Sequence, residues 1–200
     1  MSQSTDIVAA FDLDGTFIRG NSMTEYLRLI HSRRMLFEGA LRLGPVLGAY
    51  QMGRIPRREA KERVLDFFFG GMEMAFLEEK GVILAEKILP RKIRPKALIR
   101  LKWHQEQGHR CILVTASLSF WTHAFAQKYG LELIATLPEV SAGRFTGRLL
   151  GPNNYGPEKV NRLDQLIPLD QVNYLYAYGD TAGDRELLAR ADEGLYRPFH

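Results

Sequence analysis

The chain has 200 residues, of which 46% are hydrophobic and 25% charged, which suits one globular domain with a modest insertion and excludes a disordered chain. Its single cysteine, Cys111, lies in the apolar run CILV, so no disulfide framework exists and a buried strand thiol in a reducing compartment is expected. The net charge of +4 is unevenly placed: residues 19–94 carry 15 Lys and Arg against 9 Asp and Glu, leaving 12 against 14 elsewhere (27 − 15 and 23 − 9), an excess that suits an anionic substrate or surface as well as a solvated arginine-rich face.

Residues 6–11, DIVAAF, form a short apolar run that reads as a buried strand, with Asp12 at its carboxyl end. From about Asn21 to Leu89 the apolar residues recur at three- and four-residue steps, as in Tyr26, Leu27 and Ile30 or Val64, Leu65, Phe68 and Phe69. Gly44-Pro45, Gly53 with Pro56, and Gly70-Gly71 should divide this stretch into about four helices. PRKIRP (90–95) reads as a linker. A helix ending at Gly108 follows, then the strand RCILVTAS (110–117), the helix FWTHAFAQKYG, the strand LELIAT and a hairpin over 139–151 with Gly143 near its turn. EKVNRLDQL is a helix, VNYLYAYGD (172–180) a strand, DRELLARA a helix and GLYRPF a final short strand. Strands alternating with helices imply an α/β fold with a doubly wound, mostly parallel sheet. The expected core unit is 1–19 with 95–200, and 20–94 is an all-helical cap inserted after the first strand.

Ligands of such sheets bind beyond the carboxyl ends of the strands. The first strand delivers Asp12, Asp14, Gly15 and Thr16 there; the second delivers Thr115, Ala116 and Ser117. The fourth ends in Gly179-Asp180, with Asp184 four residues later, and Lys159 opens the helix after GPNNYGPE, a loop that also carries Asn153. Crowded carboxylates call for a hard cation, and an oxygen donor set that shares its shell with phosphate suits Mg²⁺. A phosphate ester adds negative charge, for which Lys159, the Thr115 hydroxyl and backbone N–H groups near Gly15 and Thr16 are available. Asp12 is placed to attack phosphorus, and Asp14 to protonate the leaving alcohol and then deprotonate water.

DLDGT, Thr115, Lys159 and GDTAGD (179–184) resemble, in order and separation, the four motifs of the haloacid dehalogenase superfamily of phosphotransferases, over about residues 6–199. The resemblance implies Asp12 as nucleophile, Asp14 as general acid/base, and Thr115 and Lys159 on the phosphoryl oxygens. It implies Mg²⁺ held by the Asp12 carboxylate, the Asp14 backbone carbonyl and Asp180, with Asp184 steadying the metal waters or Lys159. Gly15, Thr16, Ala116, Ser117 and Asn153 are then candidate substrate contacts. The helical insertion and the GPNNYGPEK segment are similar to the phosphoserine phosphatase-like branch. This chain nevertheless has Asn21 where those enzymes carry a glutamate, and Thr115-Ala116-Ser117 where they carry Ser-Gly-Gly. The basic, apolar stretch 33–58 is also similar to that of bacterial phosphatidylglycerophosphatases, and a helix pair of this kind could lie on anionic lipid.

The expected activity is hydrolysis of a small-molecule phosphate monoester. A lipid phosphatase at the membrane surface and a non-catalytic binding or regulatory module are the alternatives. DLDGT fails as a calcium loop because Thr16 and Met23 occupy its fifth and twelfth positions, where acidic or amide ligands and a glutamate belong, and Phe17 stands at the sixth, which needs glycine; GPNNYGPEK fails as a P-loop because Lys159 falls three residues after Gly156. The basic segment lacks the aromatic interleaving of nucleic-acid readers, so no nucleic-acid partner is expected. Ser119 is expected to cap the helix that follows it, and His104, His109 and His123, without metal-ligand spacing, to sit at the surface or core edge. The N-terminal residues lack a leader pattern and no uncharged apolar run is long enough to span a bilayer, so the expected location is cytoplasmic.

Overall fold

The structure, a computed structural model, describes residues 7–200. Asp6, expected to open the first strand, and the start of the expected core unit lie outside the described residues. Six strands, β1 (Ile7–Phe11), β2 (Arg110–Leu118), β3 (Glu132–Ser141), β4 (Arg144–Leu150), β5 (Tyr174–Gly179) and β6 (Glu193–Tyr196), form one sheet in the order β4-β3-β2-β1-β5-β6. All neighbours are parallel except β3 and β4. The chain builds outward from β1 through β2 and β3, then returns to the other side of β1 with β5. The point where the order reverses, between β1 and β5, is where a crevice opens at the carboxyl ends.

Alternate residues of the central strands feed two separate cores. Ala9, Phe11, Cys111, Leu113 and Tyr178 face one side, while Val8, Ala10, Ile112, Val114, Leu175 and Ala177 face the other. A strand covered on both faces must be apolar along its buried length, which is why IVAAF (7–11) and CILV (111–114) show no polar alternation. Cys111 is buried there as a free thiol. Helices α7 (Pro157–Leu166) and α8 (Arg185–Arg190) cover the second face through Leu163 and Leu187. The first face is covered by α5 (Pro95–Glu106) and α6 (Ser119–Lys128), and by the helices between β1 and α5.

Those helices are α1 (Ser22–Ile30), α2 (Arg33–Gln51), α3 (Arg57–Phe69) and α4 (Met74–Ile83), followed by a π turn over Leu84–Ile88 and a 3-10 turn over Leu89–Lys92. Tyr26, Phe69, Phe120, Trp121 and Phe145 pack together, so the inserted helices share an aromatic core with α6 and β4. The expected break at Gly44-Pro45 does not occur, because α2 runs through both residues. Proline removes one helical N–H and costs about 3 kcal/mol in a helix interior. Here Gly44 and Pro45 face solvent, where water can satisfy the freed Leu41 carbonyl, while buried Gly39 and Leu43 hold the opposite face.

PRKIRP is not a plain linker. Its first residues complete the 3-10 turn, and the chain then pairs with the segment leaving β1: Arg19 N–H donates to Lys92 O (2.8 Å) and Arg94 N–H to Phe17 O (3.0 Å). The exit to the helices and the return from them are therefore held side by side. The expected strand LELIAT and the first hairpin arm prove to be one strand, β3, irregular near Pro138. Its two-residue turn, Ala142-Gly143, has positive φ at both positions (48° and 73°), the geometry that matches the twist of an antiparallel pair.

Candidate active site

The parallel sheet sends the residues after β1, β2 and β5 to one edge, and the described structure brings three buried carboxylates together there. Asp12, Asp180 and Asp184 each offer an oxygen, and these oxygens lie within 4.8 Å of one another. Lys159, only 2% exposed, enters from the first turn of α7 and donates to Asp12 Oδ1 and Asp184 Oδ1, both at 2.6 Å. Asp184 Oδ2 accepts from the backbone N–H of Asp180 (3.2 Å) and Thr181 (3.0 Å) and from the Thr181 hydroxyl (2.9 Å), closing the 3-10 turn Ala182–Asp184 onto the strand end. Asp180 Oδ1 accepts from Thr16 Oγ1 at 3.0 Å. Gly15 has φ 86°, and a Cβ there would stand 2.3 Å from Asp180 Oδ2, so any side chain collides with the cluster.

Burial and charge pull in opposite directions. Burial pushes the Asp12 carboxyl up to about 7; Lys159 opposes this, while Asp184 and Asp14 add to it. Burial alone would drive the Lys159 ammonium down, but Asp12 and Asp184 outweigh it and hold the pKa above the usual value. For Asp184, burial is outweighed by Lys159 and the Thr181 donors, and its carboxyl sits below the ordinary range. Three carboxylates and one ammonium leave the cluster short of positive charge. An all-oxygen, electron-rich set of this kind fits a hard divalent cation.

Asp14 adds no side-chain oxygen to that cluster. Its carboxylate instead accepts from Ser22 N–H (2.5 Å), Ser22 Oγ (3.1 Å) and Ser117 Oγ (2.6 Å), and burial raises its pKa against those donors. Thr115 is fully buried and its hydroxyl accepts from Ser117 N–H at 3.1 Å. A cavity of about 340 Å³ opens over these groups, lined by Asp12, Asp14, Thr115, Ala116, Ser117, Asn153, Lys159 and Asp184 among the expected residues. Gly15, Thr16 and Asp180 do not line it. Thr16 is buried and its hydroxyl donates to Asp180 Oδ1, so the expected phosphate contact there falls to its backbone N–H and not to its side chain. Asn153 Oδ1 accepts from Thr136 Oγ1 (3.1 Å), and the neighbouring Asn154 shapes the loop by donating to Thr115 O (2.9 Å) and Ile134 O (3.0 Å).

Several neighbours were not foreseen from the sequence. Lys61 reaches from α3 and donates to Ala116 O and Asn153 Oδ1, both at 2.6 Å; burial drives its ammonium down to about 7. Arg57, one turn earlier, lies over the Tyr155 ring at 3.9 Å. Ser22 holds Asp14 and accepts from Trp121 Nε1 (3.2 Å), so Trp121 packs and also lines the cavity. Only the four-residue spacing of Arg57 and Lys61 hinted at a shared face. Ser119 does not cap α6: it lies inside the helix, whose cap position is Leu118. His104 is not at an edge but fully buried, bonded to Tyr178 OH and His109 Nδ1, both at 2.7 Å.

Residues 9–189 match the haloacid dehalogenase-like hydrolase family. The chain belongs to that family. This hydrolase is 36% identical over 195 residues to Protein CicA of Caulobacter vibrioides, covering 96% of this chain and 86% of that one. It is 26% identical to the phosphoserine phosphatase SerB1 of Mycobacterium tuberculosis, spanning 63% of that protein. Among solved structures, a protein with unknown function from Bordetella pertussis Tohama I superposes with a TM-score of 0.82 at 27% identity, covering 94% of this chain and 88% of that one. A substrate-bound phosphoserine phosphatase complex superposes with a TM-score of 0.66 at 16% identity, covering 96% and 84%, which shows a common fold.

Proposed function

We propose that this hydrolase is a Mg²⁺-dependent phosphatase that cleaves a phosphate monoester of a small molecule through an aspartyl-phosphate on Asp12. The observation that carries the reading is the convergence of Asp12, Asp180, Asp184 and Lys159 at the sheet's reversal point. The metal would be held by the Asp12 carboxylate, the Asp14 carbonyl and Asp180, and when bound it supplies charge neutralisation for the incoming phosphate.

Asp12, fixed at the rigid end of β1, attacks phosphorus, and the bond from phosphorus to the ester oxygen breaks. Asp14, whose pKa burial raises, delivers its proton to the departing alkoxide. It then takes a proton from water as that water attacks the phosphorus of the aspartyl-phosphate, freeing inorganic phosphate and restoring the Asp12 carboxylate. Lys159 and the Thr115 hydroxyl hold phosphoryl oxygens, and Asp184 keeps Lys159 oriented. Residues 20–94 act as a cap that bounds the cavity and excludes water, the hydrogen-bonded segments at 17–19 and 92–94 serving as its attachment.

The test is release of phosphate from p-nitrophenyl phosphate with and without Mg²⁺. Turnover that is independent of divalent ions, or unaffected by Asp12→Asn, contradicts the reading. A second reading, action on a lipid phosphate, is favoured by α2. Phe37 (66% exposed) and Leu41 (64%) form an exposed apolar stripe beside Arg33 and Arg34. Low-salt pelleting with anionic vesicles tests it; no protein in the pellet rejects it. No helix among the described residues is long and apolar enough to cross a membrane.

A further inference from the structure

Asp12 and Asp184 are answered by an ammonium, whereas Asp14 is answered by serines. Among the described residues, the donors to its carboxylate are the Ser22 N–H on Oδ1 and the Ser22 and Ser117 hydroxyls on Oδ2, at 3.1 and 2.6 Å. The difference is chemical. An ammonium only donates and favours the ionised carboxylate, whereas a hydroxyl both donates and accepts. The two serines can therefore serve Asp14 as a carboxylate and as a carboxylic acid. A group that gives a proton and later takes one back needs partners of that kind.

The serines are themselves fixed. Ser22 is fully buried at the first position of α1, where its N–H has no partner within the helix. Trp121, only 1% exposed, donates Nε1–H to Ser22 Oγ at 3.2 Å. An indole nitrogen cannot accept, so the Ser22 hydroxyl hydrogen is left for Asp14 Oδ2 or for Ser117 Oγ, 2.9 Å away. Ser117 is buried near the end of β2, and its N–H donates to the Thr115 hydroxyl at 3.1 Å. Ser22 comes from the inserted helices, Ser117 from the sheet and Trp121 from α6, and their bonds converge on one carboxylate. Buried hydroxyls are costly unless bonded, and an apolar filling would pack the three elements without that cost. The arrangement therefore serves Asp14, which lines the cavity beside Asp12 and Lys159.

Resting on the phosphatase reading, we infer that Ser22, Ser117 and Trp121 are positioning residues for proton transfer by Asp14. Their bonds aim the carboxyl at the ester oxygen. As the bond from phosphorus to that oxygen breaks, the Asp14 proton passes to it, and the serine hydroxyls turn from accepting to donating. How well a basic oxyanion leaves then depends on this clamp, while a leaving group that needs no proton is indifferent to it.

The experiment compares kcat/KM, which covers the steps up to the phosphoenzyme, for phenyl phosphate and p-nitrophenyl phosphate with Mg²⁺. The two esters share one ring, but phenolate is the more basic and gains more from a proton. Ser117→Ala should lose about tenfold more on phenyl phosphate than on p-nitrophenyl phosphate, a part of the roughly 10²–10⁴-fold that general acid catalysis contributes. Ser117→Thr keeps the hydroxyl and should recover most of that loss. Ser22→Ala retains the N–H and Trp121→Phe retains an aromatic ring, so each should show the same bias at about threefold. These two carry the comparison should Ser117→Ala fail to fold. Asp14→Asn should show the bias most strongly, and adding Ser117→Ala to it should cost nothing more on phenyl phosphate. Turnover of both esters by the wild type, with equal losses or none in the serine variants, overturns the positioning role alone. A further loss in the double variant also overturns it. No turnover of either ester overturns the phosphatase reading and the positioning role with it.

Discussion

The two halves of the cavity are built on different principles. The strand-end half is made by backbone position: a parallel sheet sends the residue after each strand to one edge, so Asp12, Thr115 and Asp180 meet there whatever the helices do. The helical half is made by side-chain direction, and Arg57, Lys61, Tyr50 and Leu47 reach the cavity only through the rotation and packing of α2 and α3. The first half should therefore be brittle and govern chemistry. The second should be tolerant and govern choice of substrate.

Substitutions can break or sharpen that contrast. The largest effect is expected at Asp12, where Asn keeps the shape but removes the attacking carboxylate; phosphate release should fall by at least about 10³-fold. An α3 variant with an equally large loss on every ester would erase the distinction. Next is Gly15→Ala, whose Cβ must displace the Asp180 carboxylate while the backbone holds φ 86°. Activity should drop about 10²-fold, with a loss of stability on the order of 1–3 kcal/mol read from urea unfolding.

Pro45→Ala works in the opposite direction. It restores an N–H in an exposed stretch of α2 and should raise stability by about 1 kcal/mol, less than the full proline penalty because alanine loosens the unfolded chain. Phosphatase activity should stay unchanged. The smallest expected effect concerns His104, whose pKa falls to about 4, first through burial and then through His109 and Arg100. Between pH 6.5 and about 4 the unfolded chain takes up a proton that the native protein refuses. This group's stabilisation is thus complete above pH 6.5 and fades as pH falls towards 4. The urea midpoint of His104→Gln should decline less steeply over that window than that of the wild type.

The same contrast explains what was legible beforehand. The meeting of Asp12, Asp180, Asp184 and Lys159 could be read from sequence because helix-strand alternation fixes which strand ends converge and because the four motifs resemble those of the family in order and separation. Lys61 and Ser22 could not be named. A lysine on an amphipathic helix normally meets water, and only the packing of α3 against β4 and α2 turns this one towards Ala116 and Asn153. Local signals misled where tertiary structure overrode them. Gly44-Pro45 reads as a stop, yet α2 survives it because both residues face solvent. His104 reads as polar surface, yet Tyr178 and His109 satisfy both ring nitrogens inside the core.

The most direct measurement is acid-quenched labelling with a phosphorus-labelled aryl phosphate in Mg²⁺, followed by peptide mapping. One hydroxylamine-sensitive phosphoryl group per chain is expected on the peptide containing Asp12, absent from Asp12→Asn. Rapid turnover with no label, or label that persists in Asp12→Asn, would contradict the account.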